Sequence, residues 1–207
     1  MKQFLAGITF FFLLSLGTQA QQLQTSSQHR IQAKAGLSWV GIITNVADNL
    51  NVVEEVSVNA TPVFDLSYEY FYSPNISLGV AVAYQAIGIS YEDYAYEENG
   101  NTITRDFSTE LTRLNFSVKA SYWYNPQSKA KFYSGLRLGL SNWSADTNVA
   151  DPTYDPDRFI NVVLGAAFAP QLVLIGTDIG LDANWQLGGE LAIGAPYFMA
   201  AGVSYRW

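Results

Sequence analysis

The sequence has 207 residues, a single histidine, no cysteine, and 18 Asp and Glu against 11 Lys and Arg. Without cysteine there is neither a disulfide framework nor thiol chemistry. The net charge of −7 argues against nucleic acid as a partner.

Residues 1–20 have the layout of a secretory signal peptide: Lys2 in a short positive start, an apolar run at 4–16, and Thr18-Gln19-Ala20 as a small-residue cleavage site. That run is shorter than the roughly 20 residues a spanning helix needs. No later stretch is long and apolar enough for such a helix. A membrane reading of the rest therefore requires a closed barrel, the only other structure that satisfies its backbone in lipid. Residues 21–30 are Gln- and Ser-rich and read as a flexible lead-in.

Strand-like alternation then begins. Residues 31–44 set Ile31, Ala33, Ala35, Leu37 and Trp39 against Gln32, Lys34, Gly36 and Ser38. Residues 62–72 set Phe64, Leu66, Tyr68, Tyr70 and Tyr72 against Asp65, Ser67 and Glu69, and Ser73-Pro74-Asn75 supplies a tight turn. Residues 76–90 oppose Leu78, Val80, Val82 and Tyr84 to Ser77, Gly79, Ala81, Ala83 and Gln85. Residues 108–124 oppose Leu114, Phe116, Val118 and Tyr122 to Arg113, Asn115, Ser117 and Lys119. After the turn 125–128, residues 131–142 oppose Phe132, Leu136, Leu138 and Leu140 to Tyr133, Gly135, Arg137 and Gly139. Residues 158–180 mix the two parities and read as one long bent strand with a bulge at Pro170. Residues 185–193 oppose Trp185, Leu187, Leu191 and Ile193 to Gln186, Gly188, Glu190 and Ala192. In 197–207, Tyr197, Met199, Ala201, Val203, Tyr205 and Trp207 face one way, and Ala200, Gly202, Ser204 and Arg206 the other.

Eight alternating segments of near ten residues predict an all-β fold: an eight-stranded antiparallel up-and-down transmembrane β-barrel over residues 31–207. Two features favour lipid outside over a soluble, lipocalin-like barrel with its apolar face inside. The polar face carries Gly79, Ala81, Ala83, Gly135, Gly139, Gly188 and Gly202, a poor solubilising surface but good filling for a narrow lumen. Aromatics also gather at the short-turn end. Tyr70, Tyr72, Tyr122, Tyr124, Phe132, Trp185, Tyr205 and Trp207, with Phe71, Trp123 and Tyr133 among them, predict a periplasmic girdle. Long loops at about 45–61, 91–107 and 144–157 would then face outside, with a short fourth loop at Gly194-Ala195-Pro196.

Certain short motifs also carry a family likeness. Lys34-Ala-Gly-Leu37, the hairpin from Ser67-Tyr-Glu-Tyr70 to Ser77-Leu-Gly79, Val118-Lys-Ala-Ser-Tyr122, Leu174-Ile-Gly176, and Gly189-Glu-Leu-Ala-Ile-Gly194 leading into Ala201-Gly-Val-Ser-Tyr-Arg-Trp207 resemble the small outer-membrane β-barrels of Bacteroidetes. These are the porin-family or PorT-like proteins, with OmpX and the OmpA barrel as more distant likenesses. Trp207 replaces the family's usual terminal Phe, and Asn115-Phe116 stands where an Ile-Pro pair is common. The resemblance implies the fold, a cell outer-membrane address after cleavage near Ala20, and recognition of the C-terminal aromatic by barrel-assembly machinery. It implies no defined activity.

The polar face projects Lys34, Asp65, Glu69, Arg113, Lys119, Arg137, Glu190 and Arg206, which predicts a charge network plugging the lumen, with Glu190 and Arg206 as neighbours. A narrow ion path is the alternative. His29 lies in the lead-in, away from any nucleophile, so catalytic residues, and with them an enzyme, are not expected. No cofactor or metal is expected either. Asp146, Asp151, Asp155 and Asp157, like Glu92-Asp93 and Glu97-Glu98, read as solvated loop acids, with divalent-bridged contact to lipopolysaccharide as the alternative. The expected partners are outer-membrane lipid and lipopolysaccharide, plus an unidentified surface ligand or secretion partner. Three roles follow: a structural or surface-interaction protein, a transport or secretion accessory, and, with the faces inverted, a soluble periplasmic lipid carrier.

Overall fold

The computed structural model describes residues 28–42, 56–98, 101–151 and 155–207. They form strands β1 (His29–Leu37), β2 (Val56–Ala60), β3 (Val63–Ser73), β4 (Ile76–Glu98), β5 (Asn101–Trp123), β6 (Ala130–Asp151), β7 (Asp155–Gly180), β8 (Trp185–Gly194) and β9 (Met199–Arg206). The sheet order is β2-β4-β3-β1-β9-β8-β7-β6-β5, and β5 also pairs with β4. That pairing closes β1 and β3–β9 into an antiparallel ring of eight, and β2 lies outside the ring on the outer half of β4, from Ala60↔Ile87 to Val56↔Tyr91. The fold is an up-and-down β-barrel, as the alternation predicts.

Alternation also sets the faces. In β3 every second residue from Val63 to Ser73 is buried and the residues between are exposed. The exposed face carries Phe64, Leu66, Val80, Phe116, Val118, Leu138 and Leu191, and the buried face Asp65, Glu69, Asn115, Lys119 and Glu190. Apolar outside and polar inside is the reverse of a soluble barrel. Along one strand the apolar face runs from Leu114 to Tyr124. Ten steps at ~3.3 Å, tilted by ~40°, span about 25 Å, the height of the apolar band of outer-membrane barrels.

Several boundaries differ from the sequence reading. The ladder begins at His29 rather than 31, so His29 and Arg30 belong to the barrel and not to a lead-in. The first strand ends at Leu37 instead of 44. Ser38 then caps a helical turn at 39–42, its hydroxyl accepting from the Gly41 N–H (3.0 Å) and its carbonyl from the Ile42 N–H (3.1 Å). The expected loops at 91–107 and 144–157 are largely strand: β4 and β5 stay paired up to Glu98↔Asn101, and β6 and β7 up to Asp151↔Asp155. Of the first expected loop, at about 45–61, residues 56–60 are strand β2, and residues 43–55 lie outside the described residues.

β7 is one strand, and its mixed parity has two causes, neither at Pro170. Leu174 and Ile175 are both exposed where the register slips by one residue against β6 and β8, so the inward set changes from Gln171 and Val173 to Gly176 and Asp178. A second slip lies between Val163 and Gly165, where Gly165 takes φ +92°. Only glycine holds that conformation without strain. Pro170 sits in regular register opposite Leu138.

Candidate functional site, the barrel interior

Among the described residues, eight of the interior charges form one continuous alternating chain. At the inner end Arg30 bridges Asp178 (2.6 Å) and Glu69 (2.8 Å). Lys119 links Glu69 (2.9 Å) to Glu190 (3.2 Å). Lys34 links Glu190 (2.8 Å) to Asp65 (3.5 Å), and Arg137 closes on Asp65. Four carboxylates meet four cations, and every one of these side chains is at most 2% exposed. Charges withdrawn from water this far are held only when paired and hydrogen-bonded.

The strand register makes room for them. Gly79 lies opposite both Glu69 and Lys119, Gly202 opposite Lys34, Gly176 opposite Glu190, and Gly188 opposite Asp178. A Cβ on Gly176 would lie 2.2 Å from the Tyr133 ring, so the glycine is what admits that ring. Neutral groups complete the packing. Glu190 accepts from the hydroxyls of Tyr133 and Tyr197, each at 2.6 Å. The Ser77 hydroxyl donates to Glu69 (2.6 Å) and accepts from the Trp123 indole (3.0 Å). Arg137 donates to Ser117 (2.6 Å).

Both ends of the chain of charges are covered. At the inner end Phe71, Trp123 and Tyr133 pack together, with Arg30 over the Trp123 ring at 5.1 Å and Arg206 over Phe71 at 3.8 Å. At the outer end Arg113 donates to the Pro196 carbonyl (2.6 Å) and lies over Trp143 at 5.3 Å. Gln171 donates to the Tyr197 carbonyl (2.6 Å), which pins the segment before β9 across the mouth.

The structure therefore brings Lys34, Asp65, Glu69, Lys119, Arg137 and Glu190 into mutual contact. Arg113 is held by a carbonyl and an aromatic ring rather than a carboxylate. Arg206 is not a neighbour of Glu190: Glu190 faces Ala200, and Arg206 is six residues further along β9. Three participants, Arg30, Asp178 and Tyr197, escape the sequence reading, whereas Tyr133 lies inside as its parity with Arg137 predicts. Arg30 shares the parity of Gln32 and Lys34, so extending that strand backwards by two residues would reach it. Asp178 is hidden by the slip at Leu174. Tyr133 and Tyr197 are buried, although Tyr197 has the outward parity of the last strand; β9 starts at Met199, and the turn before it escapes the alternation.

On the outer surface Tyr70, Tyr72, Tyr122, Tyr124, Phe132, Trp185 and Trp207 are exposed at the short-turn end, with Tyr205 half-buried between Trp185 (5.1 Å) and Trp207 (5.8 Å). Phe71, Trp123 and Tyr133, which share that end of the barrel, point inward, Tyr133 as its parity predicts. His29 is a strand residue, its ring nitrogen 2.7 Å from the Tyr68 hydroxyl and its ring stacked on Trp207. The acids at 92–98 and Asp151, Asp155 and Asp157 have side chains outside the described residues.

Comparison with curated proteins finds no match. Among solved structures, Ail, the attachment invasion locus protein of Yersinia pestis, is 10% identical, with a TM-score of 0.43 over 87% of this chain and 97% of that one. Its complex with the heparin analogue sucrose octasulfate gives 0.42 over the same shares. The translocator domain of the autotransporter NalP from Neisseria meningitidis is 10% identical, with a TM-score of 0.30 over 98% and 96%. The family model described as outer membrane protein beta-barrel domain matches residues 10–206, and the chain belongs to that family.

Proposed function

We propose that this outer-membrane barrel is closed to solutes and serves as a structural or surface-interaction protein, its barrel body an anchor and its long outer strands the working surface. The observation that carries this reading is the unbroken chain of eight paired charges across the interior, with aromatic packing beneath it and the Pro196-Tyr197 segment above. A diffusion pore needs a hydrated path, whereas the side chains here bond one another across the width of the lumen. The same reading includes signal-peptide cleavage near Ala20, a Bacteroidetes porin-family or PorT-like type, the periplasmic aromatic girdle, and no catalysis.

Single-channel recording in planar bilayers tests it. The expected trace stays at baseline, and proteoliposomes do not swell in small sugars. Large, stable openings would overturn the closed lumen in favour of the transport reading.

A further inference from the structure

The lipid-facing wall of the barrel is uneven. On β7, β8, β9 and β1 the register lines up rows of outward side chains. Ile175, Leu191, Met199 and Leu37 form one row, and Ile179, Leu187, Val203 and Ala33 another nearer the inner end. Between them run Thr177, Gly189, Ala201 and Ala35, a floor of small residues that crosses four strands. At the usual strand spacing it is about 14 Å long. The hollow over it measures about 560 Å³ and takes in Phe132, which pairs with Thr177 and closes the inner end.

Beyond Phe132 the surface turns basic. The Gly180 N–H donates to the Lys129 carbonyl (2.9 Å), which ties the turn before β6 to the turn after β7. Between these turns lies a second hollow of about 460 Å³, bordered by Ser128, Lys129, Lys131, Leu181 and Asp182 among others. Neither lysine pairs with a carboxylate among the described residues. Asp182 is engaged by the N–H groups of Asn184 and Trp185. The two hollows are joined along one face: Ile179 and Leu181, both exposed, continue the outward parity of Thr177.

We infer that this wall binds one anionic phospholipid of the leaflet at the short-turn end, its phosphate at Lys129 and Lys131 and one acyl chain over Gly189, Ala201 and Ala35. The inference goes beyond the surface-interaction reading and does not depend on it. Charge and shape select the occupant together. Lysines at a membrane surface attract anionic headgroups, and these lysines lie beside the aromatic girdle, at headgroup depth. The small-residue floor lies on the hydrocarbon side of the girdle, where the chain of the same lipid runs. Thr177, the one polar side chain of the three rows, stands at the inner end of the floor, toward the ester-linked part of the lipid.

The test is native mass spectrometry of the full barrel released from phosphatidylcholine nanodiscs that contain a minor share of phosphatidylglycerol. The barrel is expected to retain one phosphatidylglycerol, at least tenfold in preference to phosphatidylcholine. Lys129→Gln with Lys131→Gln should abolish the preference, and Ala201→Leu, which fills the floor on a face already covered by lipid, should abolish retention; heat-modifiable migration shows that each variant is folded. Asp182→Asn, by removing the one carboxylate at the second hollow, should raise retention. Equal retention of both lipids, retention unchanged in the lysine or Ala201 variants, displacement of the lipid by inorganic phosphate alone, or a second barrel seated on the small residues in place of lipid would each overturn it.

Discussion

The inner and outer parts of this barrel share the same four long strands, which the inner part completes with four short ones, yet they solve opposite problems. In the inner part each strand has two neighbours, and the interior is filled by charges that pair with one another and with the buried hydroxyls around them. In the outer part the short strands have ended among the described residues, and apolar side chains such as Val163 stand exposed. Exposure alone does not separate the two regions. Val118 is 57% exposed and Val163 68%, but the first lies on the closed ring and the second where β7 runs on past the start of its pairing with β8. What differs is closure, and it follows from strand length.

The largest expected effect is at the hub of the inner region. Glu190→Ala leaves Lys34, Lys119 and the hydroxyls of Tyr133 and Tyr197 without their shared acceptor. Removing one partner from a buried charge network costs about 3–5 kcal/mol. Urea unfolding in lipid vesicles, followed by tryptophan fluorescence, should show a loss of that size or a failure to insert. A loss below about 1 kcal/mol, the scale of a solvated surface pair, would mean that water already serves these groups, and the inner region would then resemble the outer one.

A matched pair of substitutions sharpens the contrast. Val118→Arg places a cation on the lipid face near the middle of the band, where it should cost about 2–4 kcal/mol. Val163→Arg on the outer sheet should stay within about 0.5 kcal/mol, as for an ordinary surface change. Equal costs would place β7's outer half inside the bilayer with the rest of the ring.

The alternation made the barrel and most of its interior legible, because a period of two is visible wherever one face is lipid and the other lumen. It failed where that period is broken or no longer needed. The slip at Leu174–Ile175 changes the inward parity and conceals Asp178, and the turn before Met199 frees Tyr197 to point inward. In the outer strands, residues 91–107 alternate poorly, and they read as loop although β4 and β5 remain paired there. The unequal strand lengths were invisible for another reason. Nothing in residues 161–169 records that β8 stops at Gly194; only the pairing does.

The smallest expected effect lies at the inner rim, in the turn that joins β8 to β7. Asp182 accepts from the N–H groups of Asn184 (2.8 Å) and Trp185 (2.7 Å), and Asn184 in turn donates to the Arg206 carbonyl (2.8 Å), tying this turn to the last strand. The two backbone donors favour the ionised carboxylate and hold it below its ordinary 3.8. Because the folded value is the lower one, the contribution is complete above the unfolded value and lost as pH falls through the folded one. The carboxylate is fully exposed, so the change belongs to the turn and not to global stability. Amide shifts of Asn184 and Trp185 followed by NMR should titrate together with a midpoint under 3.8, and Asp182→Asn should abolish the titration. A midpoint at or above that value would mean the donors do not hold the carboxylate in solution. The inner rim would then be as loosely tied as the outer sheet, and the division between a locked base and an open top would have to be drawn higher, at the ring of paired charges.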